Sequence, residues 1–137
     1  MFDQNDDYRD LEMKLFTVEE ANKLIPMVRP KLETIKNHYA KIQSYREKAR
    51  AAADSAQFGG GGMKGGSQYA TLLFELGQLT AELDGHGIQL KDYSRGLIDF
   101  PYKHEGRIVL LCWQLGDGDE IEWWHDIEAG FRGRTRL

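Results

Sequence analysis

One cysteine, three prolines and no long apolar run are what this 137-residue sequence has least of. The single thiol, Cys112, cannot close an intrachain disulfide, so a reducing compartment is its natural home. No stretch approaches the roughly 18 apolar residues of a membrane span, and the membrane is not an expected partner. The opening MFDQNDDYRDLEM is acidic where a secretory leader would be basic and apolar, and a cytoplasmic location follows as the expectation. Positive charge is not in surplus either. Lys and Arg number 18 against 22 Asp and Glu, a formal charge of −4, so no nucleic acid is expected as a partner. What the chain has is 41% apolar residues, enough for one domain of this length to bury a core without staples.

Residues 1–15 read as an acidic tail, with Asp3, Asp6, Asp7, Asp10 and Glu12. Thr17-Val18-Glu19-Glu20 fits a capping box, the reciprocal side-chain and amide pairing that starts a helix. Apolar or aromatic residues then recur at 18, 21, 25, 28, 32, 35, 39 and 42, in steps of three and four. This spacing predicts a long amphipathic helix over about 17–56 with a coiled-coil-like seam. Pro26 and Pro30 fall inside it, and each removes a backbone donor, so a kink or a restart near Pro26 is expected. Glycines at 58–66 form a linker that lacks the strand before it and the Gly-Lys-Ser/Thr ending of a phosphate loop. Ser67 can cap a second helix over 67–84, whose stripe is Tyr69, Leu72, Leu76, Leu79 and Leu83. That helix carries three acids and no base, whereas 18–54 carries eight bases and five acids. Opposite charge and matching seams predict an antiparallel hairpin, with the leucines meeting Ala49, Ala52 and Ala53.

The remainder, about 88–127, reads as a small antiparallel sheet. Ile88–Lys91 is a short edge strand, and Gly96–Phe100 is a better one, stopped by Pro101. The run from Arg107 to Ile127 reads as a hairpin, with Asp117-Gly118 supplying the two positive φ angles of a type I′ turn. Residues whose numbers sum to 235 then lie opposite each other. Cys112–Trp123 and Leu110–His125 share one face with Gln114–Ile121, and Leu111–Trp124 and Trp113–Glu122 share the other. Apolar on both faces, the first strand of this hairpin should be central and covered.

Candidate chemistry gathers near that strand. His125 is a possible general base, anion binder or metal ligand, and equally a half-buried histidine bonded to backbone. Asp99 sits mid-strand, where a carboxylate needs a partner. A four-residue loop near 102–105 pairs it with Ile108 on the face of His125, roughly 10–12 Å away, flanking a ligand rather than touching. Cys112 invites a nucleophile reading beside His125, but its apolar run argues for a buried, inert thiol. His86, His104 and His125 lack metal-ligand spacing. Trp113, Trp123 and Trp124 serve a core or an aromatic pocket. Arg132, Arg134 and Arg136 alternate in an extended tail, where they could hold an anion or pair with acids.

Read in order, Lys91-Asp92, Gly96-Leu97-Ile98-Asp99-Phe100-Pro101, Gly106-Arg107, Leu111-Cys112-Trp113, Trp124-His125 and Gly130-Phe131-x-Gly133-Arg134 form an ordered block. With the opening Phe16-Thr17-x-Glu19-Glu20-Ala21-Asn22 and Leu24-Ile25-Pro26, it resembles a bacterial family catalogued only as a domain of unknown function. The resemblance spans about 16–137. It implies a cytosolic protein of helices followed by a small sheet, and draws attention to Asp92, Asp99, Arg107, His125 and Arg134.

The expected fold is α+β: an antiparallel helical hairpin on a three- or four-stranded antiparallel sheet. The expected function is a binding or interaction module that is a homo-oligomer through its helices, because the first helix carries more seam than the second can cover. A small anionic ligand site on the sheet would use Asp92, Arg107, Trp124 and Arg134. The alternative is a small-molecule enzyme in which Asp99 and His125 share proton transfer and Arg134 anchors substrate. His125 is the candidate metal ligand, and no cofactor is indicated by any motif.

Overall fold

The computed structural model describes residues 13–55 and 65–137. Most of the acidic tail and of the Gly-rich linker, at 1–12 and 56–64, lies outside the described residues. Helix α1 (Val18–Ser55) and helix α2 (Gly66–Gly85) precede five strands. These are β1 (Gln89–Asp92), β2 (Leu97–His104), β3 (Arg107–Gln114), β4 (Trp123–His125) and β5 (Thr135–Arg136). They form one antiparallel sheet in chain order, β1-β2-β3-β4-β5, where the pattern predicted three or four strands.

The capping box forms as the residues dictate. Thr17 N–H donates to Glu20 Oε1, and Glu20 N–H to Thr17 Oγ1, both at 3.0 Å. Helix α1 then runs without interruption through Pro26 and Pro30, so the restart expected at Pro26 does not occur. Both prolines face solvent, while Ala21, Ile25, Val28, Leu32 and Ile35 on the opposite side are fully buried. Packing of that stripe offsets the two lost backbone bonds, as tertiary contacts often override local propensity.

The hairpin is antiparallel, and its polar rungs step by one heptad. Lys31 meets Glu82 at 2.6 Å, His38 meets Glu75 at 2.6 Å and Tyr45 meets Gln68 at 2.5 Å. In this register Ala52 and Ala53 lie beyond the start of α2 and are exposed, so they do not face the leucine stripe. The stripe instead lies along the middle of α1. The N-cap of α2 is Gly65, at φ 82°, with no side-chain cap, rather than Ser67.

The sheet departs from expectation at both turns. The type I′ turn lies at Glu105-Gly106 (φ 50° and 83°), where it joins His104 to its partner Arg107. Strand β2 therefore continues through Pro101 instead of stopping there. The Pro101 carbonyl accepts the Phe16 N–H at 2.8 Å, beyond the end of β1. Since N and O of one residue point to the same side of a strand, the proline nitrogen also faces away from β3 and costs that ladder nothing. Asp117-Gly118 makes no I′ turn. The positive φ is at Gly116 (98°), and Asp117 N–H donates to the Gln114 carbonyl at 3.0 Å. Residues 115–122 then fold back on α1, held by Trp113 Nε1 to the Gly118 carbonyl (3.0 Å), Ile121 N to Asn22 Oδ1 (2.7 Å) and Arg29 to Asp119 (3.0 Å). Ile121 thereby joins the helix-side core instead of the face of Cys112.

The rungs Leu110–His125, Leu111–Trp124 and Cys112–Trp123 form as expected. The inner face of the sheet, with Ile98, Phe100, Leu111 and Trp113, packs against the N-terminal half of α1. The surplus seam of the longer helix is thus covered within the chain. The outer face carries Leu97, Asp99, Leu110, Cys112 and His125, all buried. They are covered by residues 126–134, which cross this face before returning as edge strand β5. None of the described helices is long and apolar enough to cross a membrane.

Two glycines should respond oppositely to alanine. Gly96 has φ +60°, and a Cβ there would lie 2.6 Å from Leu115 Cδ1; Gly77, mid-helix, has nothing within 4 Å of that position. Gly96→Ala should destabilise by about 1–3 kcal/mol, and Gly77→Ala should stabilise by about 0.5–1 kcal/mol. Urea denaturation of the two variants checks the signs.

Candidate functional site: an Asp–His–Cys cluster under the C-terminal strap

Extending β2 to the Glu105-Gly106 turn places Asp99 opposite Cys112, not Ile108. His125 lies opposite Leu110, on the other side of the same strand. Asp99 and His125 lean toward each other across β3, and the imidazole Nε2 stands 3.2 Å from both carboxyl oxygens of Asp99. The expectation that they would not touch measured only backbone spacing; an imidazole and a carboxylate together bridge it. Both residues are almost inaccessible, at 3% and 2% exposure.

The neighbours assign the protons. His125 Nδ1 lies 2.8 Å from the Asp126 carbonyl, which can only accept, so Nδ1 carries a hydrogen and donates it. A single further proton is then shared between Nε2 and Asp99, either as imidazolium and carboxylate or as two neutral groups. Burial pushes the Asp99 pKa above its ordinary value, opposed by His125. The Cys112 thiol is pushed up to about 12, by burial first and then by the Asp99 charge, with Arg134 acting against both. As both ring nitrogens are engaged, His125 has no nitrogen left to serve Cys112 as a base.

One ligand atom each from Asp99, Cys112 and His125 lie within 4.8 Å of one another. A cavity of about 120 Å³ adjoins the pair, lined by Lys91, Leu97, Asp99, Leu110, His125 and Phe131 among others. Arg134 stacks on Trp123 and Phe131, its guanidinium carbon 4.4 and 4.2 Å from the two ring centroids. Its Nη1 is buried and has no hydrogen-bond partner among the described residues. Arg95 covers Phe131 at 4.0 Å. Larger depressions, of about 570 Å³ beside Arg107 and Glu128 and about 490 Å³ between α2 and β1, have no such buried polar cluster.

The other residues singled out by sequence lie elsewhere. Asp92 closes the β1–β2 turn, its Oδ1 accepting from Ser94 N (2.9 Å), Ser94 Oγ (2.7 Å) and Arg95 N (3.1 Å). The Ser94 bond is the main reason its pKa is lowered. Arg107 is exposed, paired with Asp126 at 3.1 Å. Trp124 lies on the helix side of the sheet, against His104 at 4.9 Å. The arginine alternation fails because Phe131–Gly133 is a 3-10 turn; Arg132 is exposed and Arg136 meets Glu122 at 3.7 Å. Sequence reasoning missed Lys91 and Phe131 as cavity walls and set Cys112 aside. The Gly96–Pro101 and Gly130–Arg134 blocks held the signal, but only the correct β2–β3 register joins them.

A two-helix hairpin laid on one face of an antiparallel meander, with a strapped polar cluster on the other, defines the class. The chain belongs to the family described as Uncharacterized conserved protein (DUF2203), whose model matches residues 14–137. No curated protein and no solved structure matches it.

With the thiol buried and its pKa near 12, Cys112 should resist an aromatic disulfide reagent at pH 8 in the folded protein, because the thiolate is the reactive form. Labelling should become rapid only in denaturant, and native labelling as fast as that of free cysteine would contradict the site. Asp99→Ala and His125→Ala should each cost about 3–5 kcal/mol by leaving a buried partner alone. The double variant should cost less than their sum, which a denaturation cycle measures.

Proposed function

We propose that the protein is a binding module whose site lies between the outer sheet face and residues 126–134, and that its ligand is small and anionic. The observation that carries this reading is the buried Nη1 of Arg134, which has no hydrogen-bond partner among the described residues and whose guanidinium stacks on Phe131, a wall of the cavity that Lys91 and His125 also line. A buried guanidinium donor without an acceptor is costly, and a carboxylate or phosphate oxygen would satisfy it. About 120 Å³ suits a ligand of a few non-hydrogen atoms. Asp99 and His125 polarise one wall, while Asp92, Arg107 and Trp124 have no part in the site. The enzyme reading, with Asp99 and His125 in proton transfer and Arg134 as anchor, is supported less well because both imidazole nitrogens already have partners.

The second half of the reading is self-association through the helices. It no longer rests on surplus seam in α1 but on Leu73 and Phe74 of α2, 40% and 67% exposed. Light scattering of the parent and Phe74→Glu tests this part, and a strict monomer at high micromolar concentration would end it.

For the ligand site, phosphate and short mono- and dicarboxylates are the probes. A true ligand at a hundredfold excess over its Kd should raise the Tm by roughly 5–10 °C. Arg134→Gln should lose that shift. Equal shifts in parent and variant, or none across the panel, would refute the site.

A further inference from the structure

We propose that Asp99, Cys112 and His125 bind a single divalent transition-metal ion of the zinc type, leaving a fourth coordination position open to the adjoining cavity. The inference rests on the three ligand atoms, so it does not require the anion reading.

Three neighbouring strands each contribute one donor: a carboxylate oxygen from β2, a sulfur from β3 and an imidazole nitrogen from β4. Oxygen, nitrogen and sulfur together are a borderline set that suits zinc or cobalt(II) better than magnesium or calcium. In a tetrahedral site with bonds of about 2.0–2.3 Å, donor atoms stand roughly 3.3–3.8 Å apart. Nε2 is already 3.2 Å from both Asp99 oxygens, and every pair lies within 4.8 Å. Side-chain adjustments of about 1 Å would close the set.

The surroundings of His125 provide a second observation. Its Nδ1 donates to a backbone carbonyl at 2.8 Å, the bond that fixes a metal-ligating histidine in the tautomer with Nε2 available. Among the described residues the sole competitor at Nε2 is Asp99, itself one of the ligands.

The charge balance is favourable for a buried site. Before binding, the Asp99–His125 pair holds one labile proton besides the hydrogen on Nδ1 and has no net charge, and the thiol is neutral. Binding M²⁺ releases two protons, one from the pair and one from the thiol. The product, M²⁺ with carboxylate, thiolate and neutral imidazole, again has no net charge. Burial therefore creates no uncompensated charge. Lys91 and Arg134 remain nearby as cations, which suits an anionic fourth ligand such as hydroxide, carboxylate or phosphate.

Cobalt(II) tests this on untagged full-length protein first treated with chelator. One equivalent should produce visible d–d bands of tetrahedral intensity and a near-ultraviolet sulfur-to-cobalt charge-transfer band. Equimolar zinc should displace both. Cys112→Ser, close in size, should lose the charge-transfer band while its far-ultraviolet circular dichroism matches the parent. His125→Gln should lower cobalt affinity at least tenfold. No charge-transfer band in the parent, or its persistence in Cys112→Ser, would overturn the proposal. Unfolding of both variants leaves the parent spectrum and zinc displacement to decide. Cobalt uptake without any anion-dependent stabilisation would support the metal site and end the anion reading; anion stabilisation in metal-free protein with no cobalt band would do the reverse.

Discussion

The β2–β3 pairing runs for eight rungs from Leu97–Gln114 to His104–Arg107, and the other elements take their positions from it. Because side chains alternate at a period of two, this one ladder assigns both faces together. Ile98, Phe100, Leu111 and Trp113 turn inward to α1, while Asp99, Leu110 and Cys112 turn outward. The register is set by a two-residue turn at Glu105-Gly106 with positive φ at both positions. A slip of one rung would put a carboxylate among isoleucines and expose Trp113.

A sheet with two buried faces needs two covers. The inner one is the N-terminal half of α1, docked through a stripe of small and branched residues, with Phe16 set edge-on against Phe100. The outer one is the short segment 126–134, which carries little apolar bulk beyond Ile127 and Phe131. Its attachment relies on cation–π stacking of Arg134 and Arg95 and on the β4–β5 rungs. This thinner cover shelters the most polar part of the interior. The asymmetry is the physical basis for locating a site there: a helix-packed face excludes ligands, whereas a strap over polar groups leaves a cavity beside them.

The Asp99–His125 pair illustrates how little spare bonding capacity the cluster has. Nδ1 is taken by a carbonyl and Nε2 by a carboxylate, and the thiol is held protonated by burial. Such a cluster is inert toward general base chemistry at Cys112 yet well prepared for a cation that replaces its two labile protons. Arg134, with an unused buried donor, supplies the complementary demand for an anion.

Much of the architecture was legible in order and type because it depends on local patterns. The capping box at Thr17, the two helical stripes and the central position of β3 follow from periodicity and composition; the β3–β4 rungs match the expected pairs although the Asp117-Gly118 turn that predicts them does not form. Asp99 and His125 likewise stand out by pattern as polar residues out of place in a plain core, whereas Arg134 is picked out by the alternating arginines of the tail and by the family resemblance. Other features were decided by contacts distant in sequence. Asp117-Gly118 is a stronger local turn signal than Glu105-Gly106, but Asn22, Arg29 and Trp113 capture the 115–122 loop and the local preference loses. Pro101 reads as a strand end until Phe16 is seen to take its carbonyl past the end of β1. The union of Asp99, Cys112 and His125 required that corrected register together with the reach of side chains over β3. Period and capping are properties of neighbouring residues and can be read from the chain itself; which strand end meets which loop depends on the packing of residues a hundred positions apart, and only the folded chain determines it.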